Sequence, residues 1–434
     1  MALSPTSTID KKSHIHDDGQ SAAVGVISRY AGAHGGLRDL AHNRLVRPLV
    51  RIGPNEVSFY SLEIYDLVHK VRSEFAKDPR IYGEFVQDGH PALFSITDAE
   101  EHAKRRRLMG QLFNLSKMDN LRELMLEQVN HFVRALRQSR HQPVDLVPAC
   151  RALEADIVCV NGGQWSSAAL KSNISQEKQT SAMPNFIRVM VRSGLAPQSA
   201  LSEAKEMLGP GTDTTSASLA HILWALAHNP QYQDDLFNDL SKHGFPEHMS
   251  NLESIPKLKA CVKEGIRWAG AAAAMLPRVV PKDGVELCGK FIPGGTVLSS
   301  SPIWYLRDKT AFPNPEEYDP YRWLTPDGAS LSDGLPLRDK YYIPFSKGSN
   351  VCIGAHFSYY ELYLSVSQLV RNFRIRLHPS QQSKCLLTSI SASTSRFQPV
   401  QLPARREWVA AVPTQQLLVV LDERESRKAG EAKE

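Results

Sequence analysis

Apolar residues recur along this chain in two spacings, one suited to helices and one to strands. Leu219, Ile222, Leu223 and Leu226 fall at i, i+3, i+4 and i+7, which puts them on one face of a helix. The spacing predicts a helix over Ser199–Ala227, stopped at Asn229-Pro230 because a residue before proline avoids helical backbone. Leu121–Leu136 is amphipathic with the same period, and Val144–Cys159 continues with apolar character. Pro256 opens a helix through Leu258, Val262 and Ile266, and the run from Ala355 to about Phe373 reads as another. Val50–Phe59 alternates around Gly53-Pro54 and predicts two short strands. Arg278 lies on a further predicted strand, and Val285–Val297 reads as a hairpin.

The pattern fails or conflicts with itself at three places. Asn161–Thr180 is polar without helical periodicity. Gly209-Pro210-Gly211-Thr212-Asp213-Thr214-Thr215 sets three helix breakers and four polar residues inside an apolar helix, and such conflicts tend to mark functional sites. The plainer alternative is a bent core helix with solvent-facing hydroxyls. In Phe345–Gly354, Cys352 stands just before a helix start, where unpaired N–H groups and the helix dipole favour thiolate over thiol. Gly348 and Gly354 permit tight turns and the close approach of a flat ligand. One thiolate suits haem iron, because zinc would require further ligands and the chain has no C-x-x-C pair. Taken alone, a buried free cysteine is an equal reading.

Composition narrows the class. With 434 residues, 42% hydrophobic and 22% charged, the chain is an ordinary globular sequence with ample material for a core. A net charge of +5 is mild for this length, and no basic run is interleaved with aromatics, so nucleic acid is not the expected partner. Cys150, Cys159, Cys261, Cys288, Cys352 and Cys385 lack paired spacing, which points to a reducing, intracellular compartment. Residues 1–45 read as a loosely structured, solvated tail that includes His14 and His16, without a membrane-spanning run. Residues 423–434 read as a charged tail.

Phe345, Gly348, Cys352 and Gly354 resemble the haem-binding signature of the cytochromes P450, departing from it at Asn350, where the family normally has an arginine near a haem propionate. Three further motifs resemble that family in the same order. Gly211-Thr212-Asp213-Thr214 is similar to the family's oxygen-side motif, with Pro210 before it; Glu264-Gly265-Ile266-Arg267 is similar to its E-x-x-R; Tyr318–Trp323 resembles its Phe-x-Pro-Glu-Arg-Trp, with Tyr321 in place of the glutamate. The phrase Arg51–Phe59 resembles filamentous-fungal members.

The resemblance implies a mainly α fold with a small β-rich subdomain over residues 46–422, shortened at 160–197 where the roof of the haem pocket should lie. It implies Cys352 as axial ligand, with Arg278, His102, Arg106, Phe345 and Gly348 around the haem. Asp213 and Thr214 would handle protons and hold dioxygen. Glu264, Arg267 and Arg322 would form a buried triad that fixes the cysteine loop. The implied activity is oxygen insertion into a small, mainly apolar substrate, with electrons from NADPH through a separate NADPH-cytochrome P450 reductase. Members of eukaryotes usually carry a membrane anchor; without one here, the protein is expected to be soluble or peripheral to the endoplasmic reticulum, unless the true N-terminus is not represented. An impaired haem binder with an incomplete roof, or a haem enzyme working without a reductase, stays open.

Overall fold

The computed structural model describes residues 48–113, 121–139, 142–162, 186–332, 334–381, 397–407 and 409–424. The N-terminal tail with His14 and His16, most of the 160–197 stretch and residues 425–434 lie outside them.

Eight helices position the site. Helix α1 is Leu62–Val68, α2 Ala99–Gly110, α3 Arg122–Gln138, α4 Leu146–Gly162, α5 Pro197–Ala227, α6 Pro230–Lys242, α7 Pro256–Ala269 and α8 Ala355–Asn372. Their starts follow local chemistry. The Ser61 and Asp98 side chains accept from Ile64 N and Glu101 N at the heads of α1 and α2. Helices α5, α6 and α7 each begin on a proline, whose missing N–H costs nothing in a first turn. The periodicity did not announce α6, which follows the predicted stop after a single non-helical step.

Helix α5 stays helical through Gly209–Thr215 with Pro210 inside it. Its C-terminal half explains this, because Leu219, Ile222, Leu223 and Leu226 are all at most 3% exposed and fix the helix from outside. The helix packs on α4, α7 and α8. Its approach to α7 requires Gly265, where a Cβ would come within 2.1 Å of Ile222 Cγ1.

A five-stranded sheet forms the β-rich part. Its strands are β1 (Leu49–Gly53), β2 (Glu56–Phe59), β3 (Ala76–Lys77), β4 (Arg278–Val279) and β5 (Val297–Ser299), in the order β1-β2-β5-β4-β3. The hairpin Val285–Leu287 with Lys290–Ile292 stands apart from it. A smaller sheet pairs Phe373–Leu377 with Leu418–Glu423, which in turn pairs with Val144–Asp145. That strand runs one residue into the expected charged tail, and Arg424 then bonds Asp234 at 3.0 Å and covers the Phe237 ring.

Candidate active site

The cysteine loop is clamped before α8 begins. Cys352 N donates to Phe345 O at 2.9 Å, Val351 N to Gly348 O, and the Phe345 ring lies 5.4 Å from that of Tyr359 on α8. Gly348 has φ +67, and a Cβ there would fall 1.8 Å from the His69 carbonyl, so the loop and the end of α1 touch backbone to backbone. Ser346 meets Tyr65 Oη at 2.8 Å.

The Cys352 side chain is exposed at the head of α8. The expected preference for thiolate is not what the bare chain provides: burial pushes the thiol up, outweighing the Gly354 N–H bond and the Arg106 charge that pull it down. The N-terminal helix effect was read correctly in sign, but desolvation is larger.

Towards Cys352 the sheet and α2 gather basic groups. Lys77 and Arg278 are cross-strand neighbours on β3 and β4. Arg278 is 2% exposed, and its Nη1 donates to Tyr82 Oη at 2.7 Å and to Pro277 O. Burial, then the charges of Lys77, Arg106 and Arg278, push His102 down to about 3, so its imidazole is neutral. Arg106 follows His102 one turn later on the same face of α2, in the electrostatic field of Cys352. Among the described residues neither Arg106 nor Arg278 has a carboxylate within ion-pair distance. Burial brings Lys77 down to about 7, and its Nζ donates to Leu93 O and Phe94 O.

A buried and a half-buried guanidinium without counter-charges, in the neighbourhood of an exposed cysteine, fit a flat group with an anionic edge. Haem with its two propionates has that chemistry. Asn350 contributes no cation, and its Oδ1 is buried without a partner.

On α5, Asp213 and Thr214 face different surroundings. Asp213 bonds Arg151 of α4 at 3.0 Å and lines a groove of about 60 Å³ with Val147, Ser216 and Ala217. Burial raises its carboxyl and Arg151 lowers it, the first being larger. Thr214 Oγ1 donates to Pro210 O at 2.8 Å, and Gly211 lies against Val158 of α4. The next residue, Thr215, donates to Ser358 Oγ at 3.1 Å, which ties the motif to the first turn of α8 behind Cys352.

Glu264, Arg267 and Arg322 meet in the core. Arg267 grips Glu264 through Nε and Nη2, both at 2.8 Å, and Arg322 Nε reaches Oε1 at 3.1 Å. Trp323 Nε1 and Asp319 N complete five donors on one carboxylate. The Tyr342 hydroxyl contacts Lys263 O and Tyr359 Oη, which links α7 to α8.

Sequence reasoning missed Lys77, Tyr82 and Arg151. A lysine in a two-residue strand leaves no periodic trace, and the apolar reading of Val144–Cys159 passed over Arg151 and Glu154.

Comparisons with known proteins bear on identity. The sequence model of the family described as Cytochrome P450 matches residues 168–399, more than half of the chain. The cytochrome P450 monooxygenase hkm5 of Aspergillus hancockii is 26% identical over 410 residues, 77% of this chain and 78% of that protein. The cytochrome P450 monooxygenase ankB of Aspergillus thermomutatus is 26% identical over 415 residues, covering 78% and 77%. BOT1 of Botryotinia fuckeliana, of the same description, is 24% identical over 418 residues, covering 77% and 79%. With the cysteine loop and the unpaired guanidinium groups, these matches establish that the chain belongs to the cytochrome P450 family, as a haem-dependent monooxygenase of filamentous-fungal type.

Proposed function

We propose that the protein inserts one oxygen atom from dioxygen into a small, mainly apolar substrate of fungal secondary metabolism, with Cys352 as the axial ligand. The observation that carries this reading is the Thr215–Ser358 bond, which couples the acid and alcohol motif to the element behind the cysteine. Bound haem supplies the oxygen-activating redox chemistry. A haem iron bound through Cys352 would hold its sulfur as thiolate, whose charge the Gly354 N–H would stabilise. Arg278, Arg106 and His102 hold the carboxylate edge of the cofactor, while Phe345 and Gly348 keep the loop in place. Asp213 takes protons from the groove at its carboxylate oxygens, tethered there by Arg151. Thr214 Oγ1 spends its own proton on Pro210 O and keeps its lone pairs free to accept. Glu264, Arg267 and Arg322 fix the loop through Tyr342 and Tyr359.

Electrons come from NADPH through a separate NADPH-cytochrome P450 reductase, docked where α2 exposes Lys104 and Arg107. Among the described residues no helix is long and apolar enough to cross a membrane. We place the protein inside the cell, soluble or peripheral to the endoplasmic reticulum, as a P450 domain over 46–422.

Product analysis tests the function. A gene-deletion strain accumulates a precursor lighter by one oxygen than the metabolite it lacks, and the wild-type gene restores that metabolite. Asp213→Asn lowers turnover by about 10²-fold, the scale of a general-acid contribution, while Thr214→Ala diverts reduced oxygen to peroxide, read as peroxide formed per NADPH consumed. Unchanged turnover and coupling in both variants would remove the proton role.

Arg278→Leu tests the anionic edge. It strips one of the unpaired guanidiniums and is expected to raise the rate of haem loss to apomyoglobin at least tenfold; an unchanged rate contradicts the assignment.

A second reading, a haem binder with an incomplete roof, draws on one fact. Among the described residues between α4 and α5 there is a single helix, Phe186–Arg192. NADPH consumption that yields only peroxide in the wild-type protein, with its Cys352-dependent spectrum intact, favours that reading.

A further inference from the structure

Away from the haem site, α4 and α8 meet at two acids. Glu154 is 0% exposed and Glu361 is 1% exposed. All four carboxyl oxygens are buried, and none finds a donor when both groups are treated as acceptors. No cation acts on either one: the charged group felt by each is the other. The further titratable groups nearby are acidic as well. Cys150, one turn before Glu154 on α4, is pushed up by burial, by Glu154 and by Asp145 at the head of the helix. Among the described residues α3 and α5, which pack on α4 and α8, bring no charged side chain against the pair.

Two bare carboxylates in such a place would each bear a full desolvation penalty and repel one another. A protonated carboxyl differs in one respect, since it can donate a hydrogen bond to its neighbour. That donor engages one oxygen of each group and removes one of the two charges.

We propose that Glu154 and Glu361 are joined by a retained proton and form a pH-sensitive tie between α4 and the helix that follows the cysteine ligand. Only a proton moves: as pH rises it leaves the pair for solvent base, and the remaining charges separate α4 from α8. The consequence reaches the oxygen side, because α4 also carries Arg151, bonded to Asp213, and Val158, packed on Gly211.

Burial raises both acids above the usual carboxylate range, Glu154 to about 8, and Glu361 also feels the charge of Glu154. A folded-state value above the unfolded one means stability that is complete at low pH and lost as pH rises toward the folded value. The window therefore runs from about pH 4.5, the ordinary value, to about pH 8.

Urea unfolding of the holoprotein from pH 5.5 to 8.5 tests the tie against the double variant Glu154→Gln, Glu361→Gln, which keeps the hydrogen bond and removes the titration. The unfolding equilibrium constant of the wild type rises by up to tenfold per pH unit below pH 8 relative to the variant, the limit for one retained proton. Parallel pH dependences overturn the proposal. Should the double variant fail to fold, infrared spectroscopy of the wild type decides: with a Glu361→Gln difference spectrum to assign it, a protonated-carboxyl stretch persists at pH 7 and fades above pH 8. Its absence at pH 7 overturns the proposal, whatever the variants do.

Discussion

Cys352→Ala abolishes the thiolate-type carbon monoxide difference spectrum of the reduced, haem-reconstituted protein, and oxygen insertion with it. The expectation rests on position as well as residue type. Cys150 and Cys261 are enclosed in the core, the latter with its sulfur accepting from Tyr318 Oη at 3.1 Å, and Cys288 sits on a surface hairpin. Among these four, Cys352 joins an exposed side chain to a place before α8 in the field of Arg106. The loss should be complete, because neighbouring Val351 and Ile353 offer no ligand. Cys288→Ala, prepared in parallel, keeps the spectrum. A thiolate-type spectrum in the Cys352 variant would refute the assignment and with it the proposed function.

Glu264→Ala is the substitution with the largest expected effect on stability. Glu264 and Arg267 are both 0% exposed, and the carboxylate accepts from Arg267, Arg322, Trp323 and the Asp319 backbone. Removing it strands two guanidiniums and an indole N–H. Breaking a buried pair from one side costs about 3–5 kcal/mol, a large share of the roughly 5–15 kcal/mol that holds a folded protein together. A reduced urea midpoint and poor haem retention at the same expression level are the expected readouts. Lys104→Ala, which breaks the exposed pair with Glu100, leaves the midpoint unmoved. An unshifted midpoint in Glu264→Ala would mean that the cluster does not fix the loop.

Much of this architecture could be read from residue order. Pro256 sits at its helix start, and the apolar spacing of Leu219–Leu226 marks the face that packs; Pro230, read only as a stop, also opens α6. The cysteine loop, the Gly209–Thr215 conflict and the E-x-x-R pair drew attention because each breaks a local rule. What stayed hidden is what depends on depth. The Cys352 thiol was expected to ionise readily, but the cost of burying charge exceeds the pull of the helix start. Asp213 was expected as a relay, with no hint that Arg151 would hold it from another helix. Glu154 and Glu361 lie far apart in sequence, and nothing in either helix tells that these two acids will face each other. Lys77 and Arg278 became neighbours only through strand register.

The clasp between Gly348 and the His69 carbonyl also bears on electron affinity. Ser346 hydrogen-bonds Tyr65, 281 positions earlier in the chain, so the first helix and the sulfur's surroundings move as one piece. Reduction potentials of such centres respond to hydrogen bonding and polarity near the ligand. A haem held by Cys352 would thus have its sulfur ligand in a loop positioned by Tyr65 and His69, which belong to none of the signature motifs.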